Sequence, residues 1–419
     1  MKVIKCGRCI DGTGTPALEN AVVVIEESKI VEVGEEGEVD IPRGIDVEEI
    51  DCSGMTVLPG LIDSHVHLTL GAGDYYEEMF SNSDAHQLIC GVINARSILD
   101  AGITTVKDCG ARNRVAFDLR EASERGLIET PRLLLSGRSI TMTGGHFYFC
   151  NAVADGYEEV RKTARGLLKE GADFIKVMAS GGGTRGTDPG RPSYSVEELK
   201  GAVEVAHRAG KTVSVHCHAT EAIINAIEAE VDVIEHCSFL ESDGKRLRHR
   251  FREDVAQEIA KKGIYVDHVL PVFAQDIERL KWGFENLEGL REQGVKILAG
   301  SDDLFLDWMG SLPFTLELMV RGGMSPMEAI QTATSRAAKA MKAEERIGTL
   351  EKGKEADLIA VEGNPLEDMK ALVSVRMVMK GGRVIQPSPR QKAKFNISQY
   401  SREIRTKLDK LEIGLKRRK

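Results

Sequence analysis

Eight short apolar runs recur through the middle of the chain, and their lengths suit strands rather than helices. They are LIDSHVH (61–67), TTVKDCG (104–110), RLLLSG (132–137), DFIKVMAS (173–180), TVSVHCHA (212–219), VIEHCS (233–238), YVDHVL (265–270) and KILAGSDD (296–303). Helical patterns separate most of them, such as HQLICGVINARSILDAG, EEVRKTARGLLKEG, SVEELKGAVEVAHRAG and ATEAIINAIEAE. Several of these close on Ala-Gly or Glu-Gly, where a glycine just past the last turn can take the left-handed conformation. Eight β units with intervening helices over about 250 residues predict an α/β fold, a (β/α)8 barrel. A doubly wound sheet is the alternative from pattern alone. No G-x-G-x-x-G follows the first strand and no Walker A sequence is present, so a nucleotide site has no support.

The two ends of the chain read differently. AVVVIEESKIVEVGEEG alternates like a hairpin with a polar Ser28-Lys29 turn, and MTVLPG closes this region. IGTLEKGKEADLIAVEG and SVRMVMKGGRVI share that texture, and Lys380-Gly381-Gly382 signals a second hairpin turn. Residues 1–60 and 345–390 are therefore expected to form one small β-sandwich domain, with the barrel, 61–344, inserted between its halves. The tail, 391–419, is basic. It reads as an amphipathic helix with Ile397, Ile404, Leu408, Leu411 and Leu415 near one stripe, packed on the body or on a second subunit.

Composition narrows the class further. A 42% hydrophobic content with 42 glycines and only 5% aromatics fits an α/β chain better than a disordered one or an immunoglobulin-like sandwich. With 56 basic and 65 acidic residues the net charge is -9, which argues against a dedicated nucleic-acid binder. No apolar run reaches the ~18 residues of a membrane span, so no membrane partner is expected. The opening MKVIKCGRCIDGTG has no long apolar stretch, and eight scattered cysteines suit reduced thiols; both lead to an expected cytoplasmic location. Cys6 and Cys9 form a C-x-x-C without a companion pair, which favours buried structural cysteines over a zinc knuckle.

The chemistry lies in where the titratable residues fall. His65 and His67 end the first strand two residues apart, so both leave the same face. His216 and His218 repeat this on the fifth strand. His236 ends the sixth, His268 lies on the seventh, and Asp302 and Asp303 end the eighth. Active sites of such barrels form at the C-terminal strand ends. Lys176 stands inside the apolar strand FIKVM, where an unpaired ammonium is costly, so it requires a carboxylate partner or a chemical modification. Imidazoles and carboxylates converging on one mouth suit a borderline divalent cation such as zinc.

PGLIDSHVH, with Pro59, Gly60, Asp63, His65 and His67, resembles the opening motif of the amidohydrolase superfamily. The likeness continues through Lys176, His216, His236 and Asp302, and into GTLEKGKEADLIAVEGNPL near the end. TGGH (143–146), FIKVMASGGG (174–183) and TDPGRPSYS (187–195) resemble its prolidase-like and Xaa-Arg dipeptidase branch, which is related to imidazolonepropionase and to ochratoxin-hydrolysing enzymes. The resemblance implies two divalent metal ions. His65, His67 and Asp302 would hold the first, His216 and His236 the second, and a carboxylated Lys176 would bridge them. Relatives often carry Gly after the sixth-strand histidine, where this chain has Cys237.

On this reading the expected activity is hydrolysis of an amide bond in a dipeptide or N-acyl amino acid. Asp302 would act as base and then acid. His146, on the loop after the third strand, would steady the developing oxyanion or grip the substrate. Arg185 and Arg191, in the Gly/Pro-rich loop after the fourth strand, would pair with a substrate carboxylate. His218 and His268 would add substrate contacts. The rivals are a cyclic-amide hydrolase or deaminase on the same scaffold, and a non-catalytic scaffold. Lys176 disfavours the mononuclear deaminases, and the full ligand set disfavours the scaffold. A homo-oligomer is expected.

Overall fold

The computed structural model describes residues 1–40, 47–70, 82–273, 277–303, 309–386 and Thr406. The expected tail helix, 391–419, falls outside the described residues apart from Thr406.

The chain opens with β1 (Lys2–Cys9), β2 (Leu18–Glu26), β3 (Lys29–Glu35) and β4 (Glu48–Pro59). These join three strands from the far end, β14 (Leu358–Glu362), β15 (Val375–Lys380) and β16 (Arg383–Ile385), in one seven-stranded sheet of order β16-β15-β14-β4-β1-β2-β3. The junction is antiparallel, with Leu358 opposite Pro59 and Glu362 opposite Met55. Both expected hairpins form. Glu26 pairs with Lys29, so the first turn is Glu27-Ser28 and Lys29 already opens β3. Lys380 pairs with Arg383 around Gly381 and Gly382, both at positive φ, which suits a two-residue turn between twisted strands.

The middle of the chain supplies two parallel sheets. One runs β5 (Leu61–Val66), β6 (Ile103–Asp108), β7 (Arg132–Leu135). The other runs from β8 (Phe174–Met178) through β9 (Thr212–Ala219), β10 (Val233–Ser242) and β12 (Tyr265–Asp267) to β13 (Lys296–Leu298), with the short β11 (Leu247–His249) antiparallel on β10. Backbone bonds link the two sheets at both seams. Ile140 N–H donates to Lys176 O at 2.9 Å on one side, and Asp302 N–H donates to His65 O at 2.8 Å on the other. The fold is α/β with parallel sheets. Burial is continuous along both faces of β5, β6 and β8, polar residues included, as expected where helices cover one side and packed side chains the other.

Local sequence explains the helices between. Ser195 caps Val196–Arg208 through a capping box with Glu198. Gly171 and Gly263 end Gly156–Glu170 and Glu253–Lys262 at φ of 104° and 69°. YVDHVL is shorter as a strand than its pattern predicts, because the backbone leaves β12 at Asp267 and enters a turn of helix at Leu270–Phe273. One extended core cluster unites the parallel strands with their helices, and a smaller one, including Ile4, Val23, Val57 and Leu358, lines the seven-stranded sheet. Cys6, Cys9 and Cys52 are buried in that smaller cluster, as expected of structural cysteines.

Candidate metal centre

The C-terminal ends of the parallel strands bring the titratable residues together. Asp63 Oδ1 accepts from His65 N–H at 3.1 Å and from Ser301 N–H at 3.0 Å, tying the end of β5 to the segment after β13. Across that tie His65 Nε2 and His67 Nε2 lie 3.3 Å and 3.5 Å from Asp302 Oδ1. His67 donates Nδ1–H to Gly110 O at 2.9 Å, which leaves the Nε2 lone pair directed at the carboxylate. A lone pair facing a carboxylate oxygen is unfavourable unless a proton or a metal cation lies between them.

A second group stands beside the first. The ligand atoms of His216, His218 and His236 lie within 4.8 Å of one another, as do those of His65, His67 and Asp302. The His65 and His236 rings, 5.2 Å apart between centroids, connect the two groups. His216 donates Nε2–H to Gly181 O at 3.2 Å, and His218 Nδ1 lies 2.8 Å from Ser238 Oγ. Burial, ahead of the neighbouring positive charges, holds His65, His216 and His236 well below the usual imidazole range; His67 falls to about 3 and His218 to about 4. The rings are therefore neutral near pH 7, the state in which imidazole binds metal. Burial also pushes the Asp302 carboxyl up to about 8, against the downward pull of Lys176. The donor set fits divalent ions, and buried Nδ1 atoms of His65 and His236 with no hydrogen bond add to that fit.

Backbone strain gathers here. His236, Cys237, Phe239 and Asp302 all have positive φ, at 66°, 49°, 53° and 54°. Non-glycine residues held in that region are uncommon and concentrate at functional sites. The pairing of β10 with β9 shifts register between His236 and Leu240. Cys237 takes a left-handed conformation that glycine adopts more readily, and it is packed in the main core with Cys217.

Lys176 is fully buried and touches the carboxylate of Glu235. Of the two resolutions foreseen for a lysine in an apolar strand, the structure contains the carboxylate partner. Glu235 also receives Lys107 Nζ at 2.9 Å and the Cys109 thiol at 3.2 Å, so one carboxylate serves two ammonium groups. Asp267 is buried nearby with no hydrogen bond to either oxygen, and burial raises its carboxyl to about 6. Sequence reasoning passed over Lys107, Glu235 and Asp267, although each is a charged residue in an apolar strand, the signal that singled out Lys176.

His146 reaches the same region from the loop after β7, its ring centroid 4.5 Å from that of His216. Thr184, also missed, fixes its tautomer. Thr184 N–H lies 3.3 Å from His146 Nδ1 and the Thr184 hydroxyl 2.8 Å from it, while Phe147 N–H donates to the Thr184 oxygen at 3.2 Å. With Nδ1 accepting, the ring proton sits on Nε2. That nitrogen packs against Gly182, where an added Cβ would lie only 2.6 Å away. The other expected substrate contacts are not drawn in. Arg185 is exposed, and Arg191 is exposed with Nε 3.3 Å from Asp188. His268 is fully buried, its ring nitrogens 3.2 Å from His236 O and 2.9 Å from Gly283 O, so it is held within the wall behind β12. Asp303 turns away from Asp302 and accepts from Gly310 N–H, Ser311 N–H and the Ser311 hydroxyl at 2.8, 3.0 and 2.6 Å.

Buried histidines and a raised carboxyl at the ends of parallel strands match a recognised enzyme class. Residues 56–385 match the amidohydrolase family, and the chain belongs to that family of hydrolases. The family generally uses metal ions, and the two histidine groups are candidate positions for them. Among its relatives, ochratoxinase from Aspergillus niger is 33% identical over 432 residues, covering 92% of this chain and 86% of that protein. Imidazolonepropionase from Thermoplasma volcanium is 22% identical, covering 87% of this chain and 89% of that protein. A crystal structure of a Xaa-Pro dipeptidase with methionine in its active site superposes with a TM-score of 0.82 at 29% identity, covering 92% of this chain and 99% of that one.

Proposed function

We propose that this protein is a binuclear, metal-dependent hydrolase that cleaves the amide bond of a dipeptide or an N-acyl amino acid. The observation that carries the reading is the meeting of two histidine groups, one completed by Asp302, at the ends of the parallel strands. The ochratoxinase and Xaa-Pro dipeptidase likenesses support an amide substrate. The proposed architecture is a (β/α)8 barrel, 61–344, with a small β-sandwich domain from 1–60 and 345–390.

His65, His67 and Asp302 would hold one ion, with zinc the expected metal, and His216 and His236 the other. A carboxylated Lys176 would lie between them. The modification would remove a buried ammonium that shares Glu235 with Lys107, and the two divalent ions would supply the positive charge that balances the new anion. When bound, the ions would supply Lewis-acid activation of water and of the scissile carbonyl. Asp302 takes the proton from the attacking water and delivers it to the departing amine. His146 Nε2–H, set by Thr184, donates to the oxygen that gains charge. His218 orients substrate at the second histidine group. Arg185 and Arg191 stand exposed on the loop after β8, outside the gathered residues, and the comparison of free acid with amide tests whether either recognises a carboxylate on the leaving amine.

Elemental analysis of zinc-loaded protein tests the centre, with about two ions per chain expected from six ligands. A saturating value of one would overturn the binuclear reading. A screen of dipeptides and N-acyl amino acids tests the substrate class. Blocking the carboxylate as an amide should lower kcat/KM roughly ten- to a hundredfold through loss of a charged hydrogen bond. Activity confined to a cyclic amide would refute the peptide reading. We also propose a cytoplasmic homo-oligomer; the eight cysteines, all free and buried, agree with a reducing compartment.

A further inference from the structure

We propose that Glu235 is a positioning residue of this centre, its carboxylate fixing the His65 ring so that Nε2 faces His67 and Asp302. The inference rests on the metal-centre reading given above. Its starting point is an asymmetry among the histidines. His67 is anchored through Nδ1 by Gly110 O at 2.9 Å and His218 through Nδ1 by Ser238 Oγ at 2.8 Å, while His216 is anchored through Nε2 by Gly181 O at 3.2 Å. His236 has no such bond at Nδ1, and neither has His65, where the facing group is a carboxylate. The Nδ1 of His65 is buried and unsatisfied, and the acceptor facing it is Glu235 Oε2 at 3.6 Å. A shift of a few tenths of an ångström turns that approach into a charged hydrogen bond.

The rest of the Glu235 environment suits this task. The side chain is completely buried, and its other oxygen is held from two sides, by Lys107 Nζ at 2.9 Å and the Cys109 thiol at 3.2 Å. Lys107 in turn lies 4.7 Å over the Phe174 ring, which limits its movement. With Oε1 fixed, Oε2 is left for His65 and Lys176. A carboxylate on the far nitrogen of a metal-binding imidazole selects its tautomer, holds its ring plane and raises its basicity. Glu235 would thus serve His65 as the Gly110 carbonyl serves His67, with the added effect of a full charge.

The competing explanation is that Glu235 only neutralises buried lysines. Three proteins separate the two: wild type, Glu235→Gln, and Glu235→Gln combined with Lys107→Met, which removes one positive charge along with the negative one. Zinc affinity is read by chelator competition, the ligand field by the visible spectrum after cobalt loading, and folding by the melting temperature of the metal-free proteins. We expect Glu235→Gln to bind zinc roughly 10- to 100-fold more weakly and to change the cobalt spectrum. The double variant should regain melting temperature but not affinity, and it carries the test if the single variant fails to fold. Unchanged zinc affinity in Glu235→Gln, or full recovery of affinity in the double variant, overturns the proposal. Wild-type protein saturating at one ion, with that ion weakened by Glu235→Gln, would refute the binuclear reading and leave the role of Glu235 standing.

Discussion

Gly300→Ala perturbs the centre without touching a ligand. Gly300 follows β13 and passes between the end of β5 and the end of β12. A Cβ there would lie 2.6 Å from His65 Cβ and 2.6 and 2.9 Å from the two oxygens of Asp267. Comfortable contact between carbon atoms needs about 3.5–4.0 Å, so the neighbours must retreat by roughly 1 Å. Asp267 has no hydrogen bond holding it, but His65 is tied by its N–H to Asp63 and by its carbonyl to Asp302 N–H. The strain therefore displaces the residues that frame the first histidine group. Overpacking should cost about 1–3 kcal/mol and lower the melting temperature by a few degrees. A misplacement near 1 Å should cost about 10²-fold in kcat/KM. Gly294→Ala is the control: its φ is +76° and nothing stands within 4 Å of an added Cβ. That change should cost about 1–2 kcal/mol of backbone strain and spare the metal site. The measurements are calorimetry, metal retained after dialysis, and kcat/KM on the best substrate of the screen. If Gly300→Ala keeps the zinc affinity and kcat/KM of wild type, close packing at this glycine does not position His65 and the reasoning fails.

Other perturbations test separate parts of the account. Asp302→Asn should keep the fold but lose roughly 10²-fold or more in kcat, as expected when a proton carrier is removed; wild-type turnover in steady-state assays would exclude Asp302 as the base. Thr184→Val removes the hydroxyl that bonds His146 and should lower kcat about tenfold with KM little changed, while Thr184→Ser retains activity; equal losses in both variants would point to packing instead. Arg132→Met removes the cation shared by Asp357 at 2.5 Å and Glu355 at 2.8 Å, where β7 meets the approach to β14. Leaving the nearly buried Asp357 unpaired should cost about 3 kcal/mol in chemical denaturation with zinc affinity unchanged, and a smaller effect would mean that solvent screens the pair.

Much of the fold was legible because alternating periodicities reflect local geometry. Two-residue spacing alone puts His65 with His67, and His216 with His218, on common faces of their strands. A lysine in FIKVM had to be accommodated somewhere, whatever the topology. The hairpin at Gly381-Gly382 and the glycines ending helices were fixed by backbone freedom that no other residue supplies so readily.

What the tertiary structure decided lies where local rules fail or where distant segments meet. Strict alternation sends Glu235 and His236 to opposite sides of β10. The left-handed backbone at His236 and Cys237 breaks the strand register, and both side chains end up among the site residues. Asp302 and Asp303 look equivalent in sequence, yet positive φ at Asp302 brings one to the histidines, while the other is held by Gly310 and Ser311. His268 falls after the end of β12, and its ring is taken up by backbone carbonyls. Thr184 meets His146 across 38 residues of chain. The sequence by itself determined which side chains were available at the strand ends. Only the folded chain decided which of them face one another, because a bulge, a change in φ or a contact between loops depends on neighbours that periodicity does not encode.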